Sequence, residues 1–338
     1  QLKEPYAIAG HLHESIKNTF ITLEDSKGNI GIGSCATKND SEESTKECFD
    51  ILNSFSPSLI GKELAPDENT FDWIASELPL NTEANAAVDI ALHDLWAKSQ
   101  KKMLVDVLGK KHQSFDTSIT IGVSSLEKTI EMAKKHIDNG FSILKIKIGD
   151  CVEEDIERME ALFELKPEKI KIRVDANRGY SKQELIKFYD ETVDLGLELI
   201  EQPMEVDQNN EMLYFPEEIR KICVADESLQ NFDDAVRLLK EPKPFGVFNI
   251  KLMKCGGIYA ARKIAALAHE NDIKLMWGCF DESKLSISAA LHTALSCENT
   301  EYIDLDGFFD LGWDLVEGGY TCENGIMRVI EKPGLGAY

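Results

Sequence analysis

The run Ile143-Leu144-Lys145-Ile146-Lys147-Ile148, then a charged amphipathic stretch, then Lys171-Ile172-Arg173-Val174, decides the fold. A short apolar run bounded by polar residues reads as a buried strand, and the charged stretch between two such runs reads as a helix. The unit repeats in both directions. Strands are predicted at Ser118–Ile121, Ile143–Ile148, Lys171–Val174, Glu198–Glu201, Ile222–Ala225, Val247–Lys251, Lys274–Trp277 and Tyr302–Asp304. Their C-terminal ends carry Lys147, Asp175, Glu201, Asp226, Lys251, Gly278 and Asp304, in steps of 25 to 28 residues. Strand plus helix at that length is what parallel pairing requires, and eight such units close into a (β/α)8-type barrel. The alternative, a doubly wound sheet, has fewer strands and an early glycine-rich phosphate turn, which this sequence lacks.

The flanks read differently. Asn18–Leu23 and Ile30–Gly33 are strands around a Lys27-Gly28-Asn29 turn, and Glu83–Lys98 is a helix with Ala87, Ile90, Ala91 and Leu95 as apolar positions. After the last barrel strand, Gly307–Trp313 is aromatic and glycine-rich instead of helical, and Tyr320–Ile330 reads as a hairpin around Glu323-Asn324-Gly325. The expected organisation is an α+β capping domain of residues 1–115, joined by 315–338, on a modified (β/α)7β barrel of residues 116–314.

At 338 residues the chain is long enough for such a barrel and its accessory layer. Lys and Arg number 37 against 60 Asp and Glu, a formal charge of -23, which repels phosphate backbones and anionic lipid. Nucleic acid and membrane are therefore excluded as partners, and no apolar run approaches the roughly 20 residues of a membrane span. The eight cysteines are scattered without a CxxC pair, so free thiols and a cytoplasmic location are expected. The start at Gln1 leaves a removed leader open. A homo-oligomer is the expected assembly.

The strand ends carry the chemistry. Asp175, Glu201 and Asp226 each end or follow an apolar strand, where an unpaired carboxylate is costly. One such Asp would be a helix N-cap. Three in successive units instead form a hard oxygen site that selects Mg2+, with Mn2+ as a substitute. Lys145 and Lys147 lie two apart on one strand and face the same way, about 7 Å apart. Their repulsion is about 2 kcal/mol at an effective dielectric near 20, enough to lower the proton affinity of one of them and help make it a base. Lys251 ends a strand four units further on, across the barrel, so two lysines can act on opposite faces of one carbon. Lys254, just beyond that strand, reads as an outward-facing surface lysine.

These residues resemble a family. KIKIG (Lys145–Gly149), VDANRGY (Val174–Tyr180), IEQP (Ile200–Pro203), ADES (Ala225–Ser228), NIKLMKCGG (Asn249–Gly257) and GCFDES (Gly278–Ser283) are similar, in order and spacing, to the muconate-lactonizing subgroup of the enolase superfamily. Ala86-Ala87-Val88-Asp89 and PGLG (Pro333–Gly336) are similar to its capping domain. The resemblance implies that Asp175, Glu201 and Asp226 ligate one Mg2+ per subunit and that Lys147 and Lys251 are the acid/base pair. It also implies that Lys145 assists at the substrate carboxylate and that Asn177 and Glu227 support the site. Such sites pair a Lys or His base with Mg2+ to stabilise an enediolate, as is general for that superfamily.

Ile303-Asp304-Leu305-Asp306 resembles the DxD motif of dipeptide epimerases, which bind the substrate's α-ammonium. Two carboxylates on one face suit a cation and would be left desolvated without one. The alternative for this pair is a solvated acidic loop. The implied activity is epimerisation of a dipeptide at the α-carbon of its C-terminal residue. Alternatives of the same subgroup are o-succinylbenzoate synthase, N-acylamino-acid racemase and cycloisomerase, whose substrates have no free ammonium. A non-catalytic binding protein on this barrel is the alternative from another class.

One departure concerns the N-terminal loop, where Ala-Glu epimerases of the family carry an arginine for the glutamate side chain. Here no arginine precedes Arg158, and the loop runs Tyr6-Ala7-Ile8-Ala9-Gly10-His11-Leu12-His13. Apolar or aromatic dipeptides are therefore the expected preference, while Asp281 argues for a cationic side chain. Ser34 stands where relatives often have Glu.

Overall fold

The structure, a computed structural model, describes residues 6–8, 11–13, 16–37, 41–78, 81–309 and 311–338, the first two runs as backbone only. Strands are numbered in chain order. In the N-terminal part, β1 (Tyr6–Ile8) and β2 (His11–His13) form an antiparallel ribbon, and β3 (Asn18–Glu24) and β4 (Ile30–Ala36) the expected hairpin. Helices Glu42–Phe55, Glu68–Glu77 and Thr82–Ser99 follow. The last is the predicted helix, and β4 lies directly on it. Ala84, Ala86, Ala87 and Ala91 are fully buried there. The approach is so close that a Cβ at Gly33 would run into the Ala87 carbonyl. Small residues on both sides are what admit backbone-to-backbone packing.

After β5 (Phe115–Asp116) the barrel is built from β6 (Ile119–Ile121), β7 (Ile143–Lys147), β8 (Lys171–Asp175), β9 (Leu199–Glu201), β10 (Cys223–Ala225), β11 (Val247–Ile250), β12 (Lys274–Gly278) and β13 (Thr300–Asp304). All eight predicted strands are present, parallel, and paired in sequence order. A Thr117–Ile303 bridge joins the first to the last, so the sheet is nearly closed. Glycine-rich residues follow β13 in place of a helix, and the chain returns through β14 (Tyr320–Glu323) and β15 (Ile326–Val329), the second predicted hairpin. β15 pairs with β5.

Two buried aspartates of the long N-terminal helix hold the parts together. Asp89 accepts the N–H groups of Ile258 (2.7 Å) and Tyr259 (3.1 Å), capping the barrel helix Ile258–Glu270 from outside. That helix begins at Gly257, where a Cβ would lie 2.5 Å from the Asp89 carboxyl carbon, so only glycine fits. Asp94 accepts from Ile32 (2.9 Å), Leu335 (2.8 Å) and Lys98 (2.7 Å), joining strand, helix and C-terminal segment on one carboxylate. The cysteines are free thiols, four of them buried. Among the described residues no helix is long and apolar enough to cross a membrane.

Candidate active site

Inside the barrel, Leu199, Val224, Val247 and Met276 form an apolar cluster with Tyr302 packed against it. Two residues further along the same strands come Glu201, Asp226, Asn249, Gly278 and Asp304. The two-residue period of a strand therefore stacks a polar layer on an apolar floor, at the C-terminal end of the barrel. Parallel register sets Lys147 opposite Asp175 and Asp175 opposite Glu201.

Lys145 sits at the centre of this layer, 4% exposed, with its ammonium 3.0 Å from Asp175, 2.7 Å from Glu201 and 2.7 Å from Asp304. Burial opposes its charge, but Asp175, Asp304 and Glu201 outweigh burial and hold its pKa well above the ordinary lysine value. Lysine–lysine repulsion therefore does not lower the proton affinity of Lys145: carboxylates contributed by other strands dominate. Lys147 is half-buried and donates to Asp175 Oδ2 and Asn177 Oδ1, both at 2.7 Å. Lys251 lies just past β11, 2.9 Å from Asp226 Oδ2, with its ammonium 5.0 Å from the Phe280 ring centre. Burial again opposes its charge, and Asp226 and Glu201 raise its pKa.

The three carboxylates differ. Burial pushes Asp175 and Asp226 up, but Lys145 and Lys147 on the first, and Lys251 and Lys254 on the second, hold them below the usual range. Glu201 is pushed up to about 7 by burial and then by the charge of Asp175. Glu201 is thus buried beside a second carboxylate, where a bound cation would favour its ionised form. Among the described residues no three carboxylate, imidazole or thiolate groups are already gathered to hold a metal ion. Asp175 and Glu201 instead converge, within 3.0 Å, on the Lys145 ammonium. An all-carboxylate donor set that converges on a cation suits a hard ion such as Mg2+ or Mn2+.

The other predicted residues are placed as follows. Asp304 is buried and takes Lys145 on Oδ2 and the Ser118 hydroxyl on Oδ1. Asp306 is half-buried, accepts the Thr120 N–H at 2.7 Å, and is pushed up to about 7 by burial and by Asp304. The two acids share the region, but the first is already committed to internal donors. Asn177 bridges Lys147 to Glu227, donating to Glu227 Oε1 at 3.3 Å, while Glu227 Oε2 has no partner. Burial and the charges of Asp226 and Asp175 raise the Glu227 pKa. Asp281 is half-buried in the loop after β12. The side chains of Tyr6–His13 lie outside the described residues. Nothing in the structure explains Ser34, whose buried hydroxyl has no partner.

Lys254 is a correction. It is not a surface lysine: it is 4% exposed and donates to Asp226 Oδ1 (2.5 Å), Asp226 O (2.7 Å) and Asn249 O (3.0 Å). The short helix Leu252–Cys255 turns the chain back over the barrel, which the strand pattern did not show. Asn249 and Glu282 were missed. Asn249 donates to Glu201 Oε1 at 2.6 Å, and its place two residues before Lys251 was a readable signal. Glu282 is 3% exposed, accepts the Phe280 N–H at 3.0 Å and is pushed up to about 7 by burial.

Known proteins are similar to this chain in sequence and fold. Residues 128–338 match the family described as enolase C-terminal domain-like, and residues 1–109 match the mandelate racemase / muconate lactonizing enzyme N-terminal domain. The chain belongs to this family of the enolase superfamily. An L-Lys-D/L-Arg epimerase of Desulforapulum autotrophicum is 45% identical over 337 residues, 99% of this chain and 95% of that protein. A dipeptide epimerase of Methylococcus capsulatus, solved with Mg and the dipeptide L-Arg-D-Lys, superposes with a TM-score of 0.95 at 40% identity, covering 99% of this chain and 96% of that one. A dipeptide epimerase of Enterococcus faecalis V583, solved with Mg and L-Leu-L-Tyr, gives 0.91 at 31% identity, with 99% and 96% covered.

Proposed function

We propose that the protein is a Mg2+-dependent dipeptide epimerase that inverts the α-carbon of the C-terminal residue, and that its substrates carry cationic side chains. The observation that carries the reaction is the placement of two lysines across one carboxylate cluster. Lys147 is held on Asp175 and Asn177, and Lys251 on Asp226, four strands away in the barrel. An α-proton next to a carboxylate is too weakly acidic to lose unless the charge it leaves is stabilised. Asp175, Glu201 and Asp226 would hold the ion, which when bound supplies a Lewis acid for the substrate carboxylate. Lys145 adds a fixed positive charge beside it. One of Lys147 and Lys251 removes the proton from its face and the other returns one to the opposite face. Asp304 and Asp306 would receive the α-ammonium, Asp306 being the less committed acceptor. Asn177 and Glu227 keep Lys147 in register.

Cationic substrates are supported by the two proteins named L-Lys-D/L-Arg epimerase, at 45% and 40% identity, against 31% for one named hydrophobic dipeptide epimerase. Asp281, in the loop after β12, points the same way. The apolar preference expected from Tyr6, Ile8 and Leu12 is the competing reading.

The test is a panel of Lys-, Arg-, Phe-, Leu- and Ala-Glu dipeptides incubated with enzyme in D2O and followed by mass spectrometry. Lys- or Arg-containing dipeptides should have kcat/KM at least about tenfold above the rest, since a site built for a charge leaves its carboxylates unpaired with any other substrate. A Phe or Leu dipeptide in first place returns the preference to apolar substrates. Absence of deuterium uptake into any dipeptide overturns the epimerase reading.

A further inference from the structure

Each of the three strand-end carboxylates is divided in the same way. One oxygen faces a lysine of the reacting cavity: Asp175 Oδ2 faces Lys145 and Lys147, Glu201 Oε2 faces Lys145 at 2.7 Å, and Asp226 Oδ2 faces Lys251 at 2.9 Å. The other oxygen is held by a donor that transfers no proton in the reaction above. Asp175 Oδ1 accepts the Asn177 N–H at 3.0 Å, Glu201 Oε1 the Asn249 amide at 2.6 Å, and Asp226 Oδ1 the Lys254 ammonium at 2.5 Å.

We propose that these three donors form a clamp that ties up one oxygen of each carboxylate and leaves the other for the metal ion, which makes Asn249 and Lys254 positioning residues of the metal site. The inference rests on the metal reading given under the proposed function. Two features set Lys254 apart from a base or a substrate ligand. All three of its N–H groups are taken, and two of them by backbone carbonyls, Asp226 O and Asn249 O. An ammonium with three donors in use has none left for substrate. It also bonds to both neighbouring strand ends, so it fixes the spacing between Asp226 and Asn249.

Asn249 is fully buried, and its Oδ1 has no partner. Gly278 makes the room for it: a Cβ there would stand 2.5 Å from Asn249 Oδ1. The amide orientation follows from charge, because the flipped form would turn a carbonyl oxygen onto the Glu201 carboxylate. A buried acceptor left without a donor is tolerated here because the other half of the amide holds Glu201. The Lys254 bond to Asn249 O joins the two residues into one unit.

Groups that orient metal ligands typically contribute 10- to 100-fold in metal affinity. The experiment titrates Mn2+ into metal-free protein and reads free Mn2+ by electron paramagnetic resonance. Asn249→Leu and Lys254→Met, which keep volume and remove the donor, should each weaken Mn2+ binding by about tenfold or more. Lys254→Gln, which keeps an N–H donor one bond nearer the backbone, should lose less Mn2+ affinity than Lys254→Met. The Mg2+ concentration for half-activation should rise in the first two variants. Wild-type Mn2+ affinity in both donor-less variants overturns the clamp while leaving the metal site standing. Failure of the wild-type protein itself to bind Mn2+ overturns the metal reading, and the clamp with it. The two residues are on different elements, so if one variant does not fold the other decides.

Discussion

Replacing Asp306 with Asn should make the protein more stable at pH 8 and worse at binding its substrate. Asp306 is an acid held in an unfavourable place: burial and the neighbouring Asp304 push it up to about 7 from 3.8, against partial relief from the Thr120 N–H and the Lys145 charge. Its folded pKa lies above its unfolded value, so stability from this residue is full below about 3.8 and is lost as pH rises through about 7. A shift of that size corresponds to at most about 4 kcal/mol, and because Asp306 is only half-buried, solvent screening reduces it to about 2 kcal/mol. Asparagine keeps an oxygen for Thr120 and carries no charge to desolvate. With an unfolding entropy of about 2.1 cal/mol/K per residue, 2 kcal/mol is a rise in Tm of about 3 °C in a chain of 338 residues. Thermal unfolding of both proteins in EDTA at pH 8, 5 and 4 measures it. The variant's advantage should be largest at pH 8, smaller at pH 5 and smallest at pH 4. KM for a dipeptide should rise about tenfold or more, as for loss of a charge-assisted hydrogen bond. A variant no more stable at pH 8, or an advantage that does not shrink on acidification, refutes the reasoning.

Lys147→Ala and Lys251→Ala should each abolish epimerisation; a single variant should still exchange the α-proton of one stereoisomer in D2O without inverting it, and wild-type turnover by either variant rules out the two-base scheme. EDTA should remove activity and Mg2+ restore it, and Asp226→Asn should lower metal affinity and turnover together; full activity of the stripped variant would remove the ion from the reaction. N-acetylated dipeptides should not turn over, and equal rates for free and acetylated substrates would move the protein to the N-acylamino-acid racemase reading. Asp89→Ala leaves the buried Ile258 and half-buried Tyr259 N–H groups without that acceptor and removes a helix cap, at a cost of about 3 kcal/mol. A melting temperature within a degree of wild type would show that this junction does not need the carboxylate.

The barrel was legible because its signal is local and repeated: an apolar run, a polar end and a helix, at nearly constant spacing. The same regularity put Asp175, Glu201 and Asp226 on one rim. What stayed hidden depends on distances between strands. Sequence shows Lys145 and Lys147 as close neighbours, but not that Asp175, Glu201 and Asp304 surround the first and dominate its electrostatics. Lys254 was misplaced because a strand pattern stops where the strand does, and a single helical turn then carried the residue back under Asp226. Asn249 obeyed the two-residue alternation and was passed over because an amide among apolar residues looks inert until the glutamate it holds is seen beside it.

The Asp94 carboxylate joins Ile32 to Leu335, and Leu335 lies 241 positions after Asp94 in the chain. During synthesis at about 5–20 residues per second, the helix bearing Asp94 emerges some 10–50 s before its last partner exists. Until then Asp94 Oδ1 lacks its donor, the Leu335 N–H, and the surface that Leu335 will cover stays open. The barrel strands that follow can pair as they appear, each with the one before it. The N-terminal part is thus among the earliest to be made and among the last to be finished, and a chaperone that shields a nascent chain would have its longest task there.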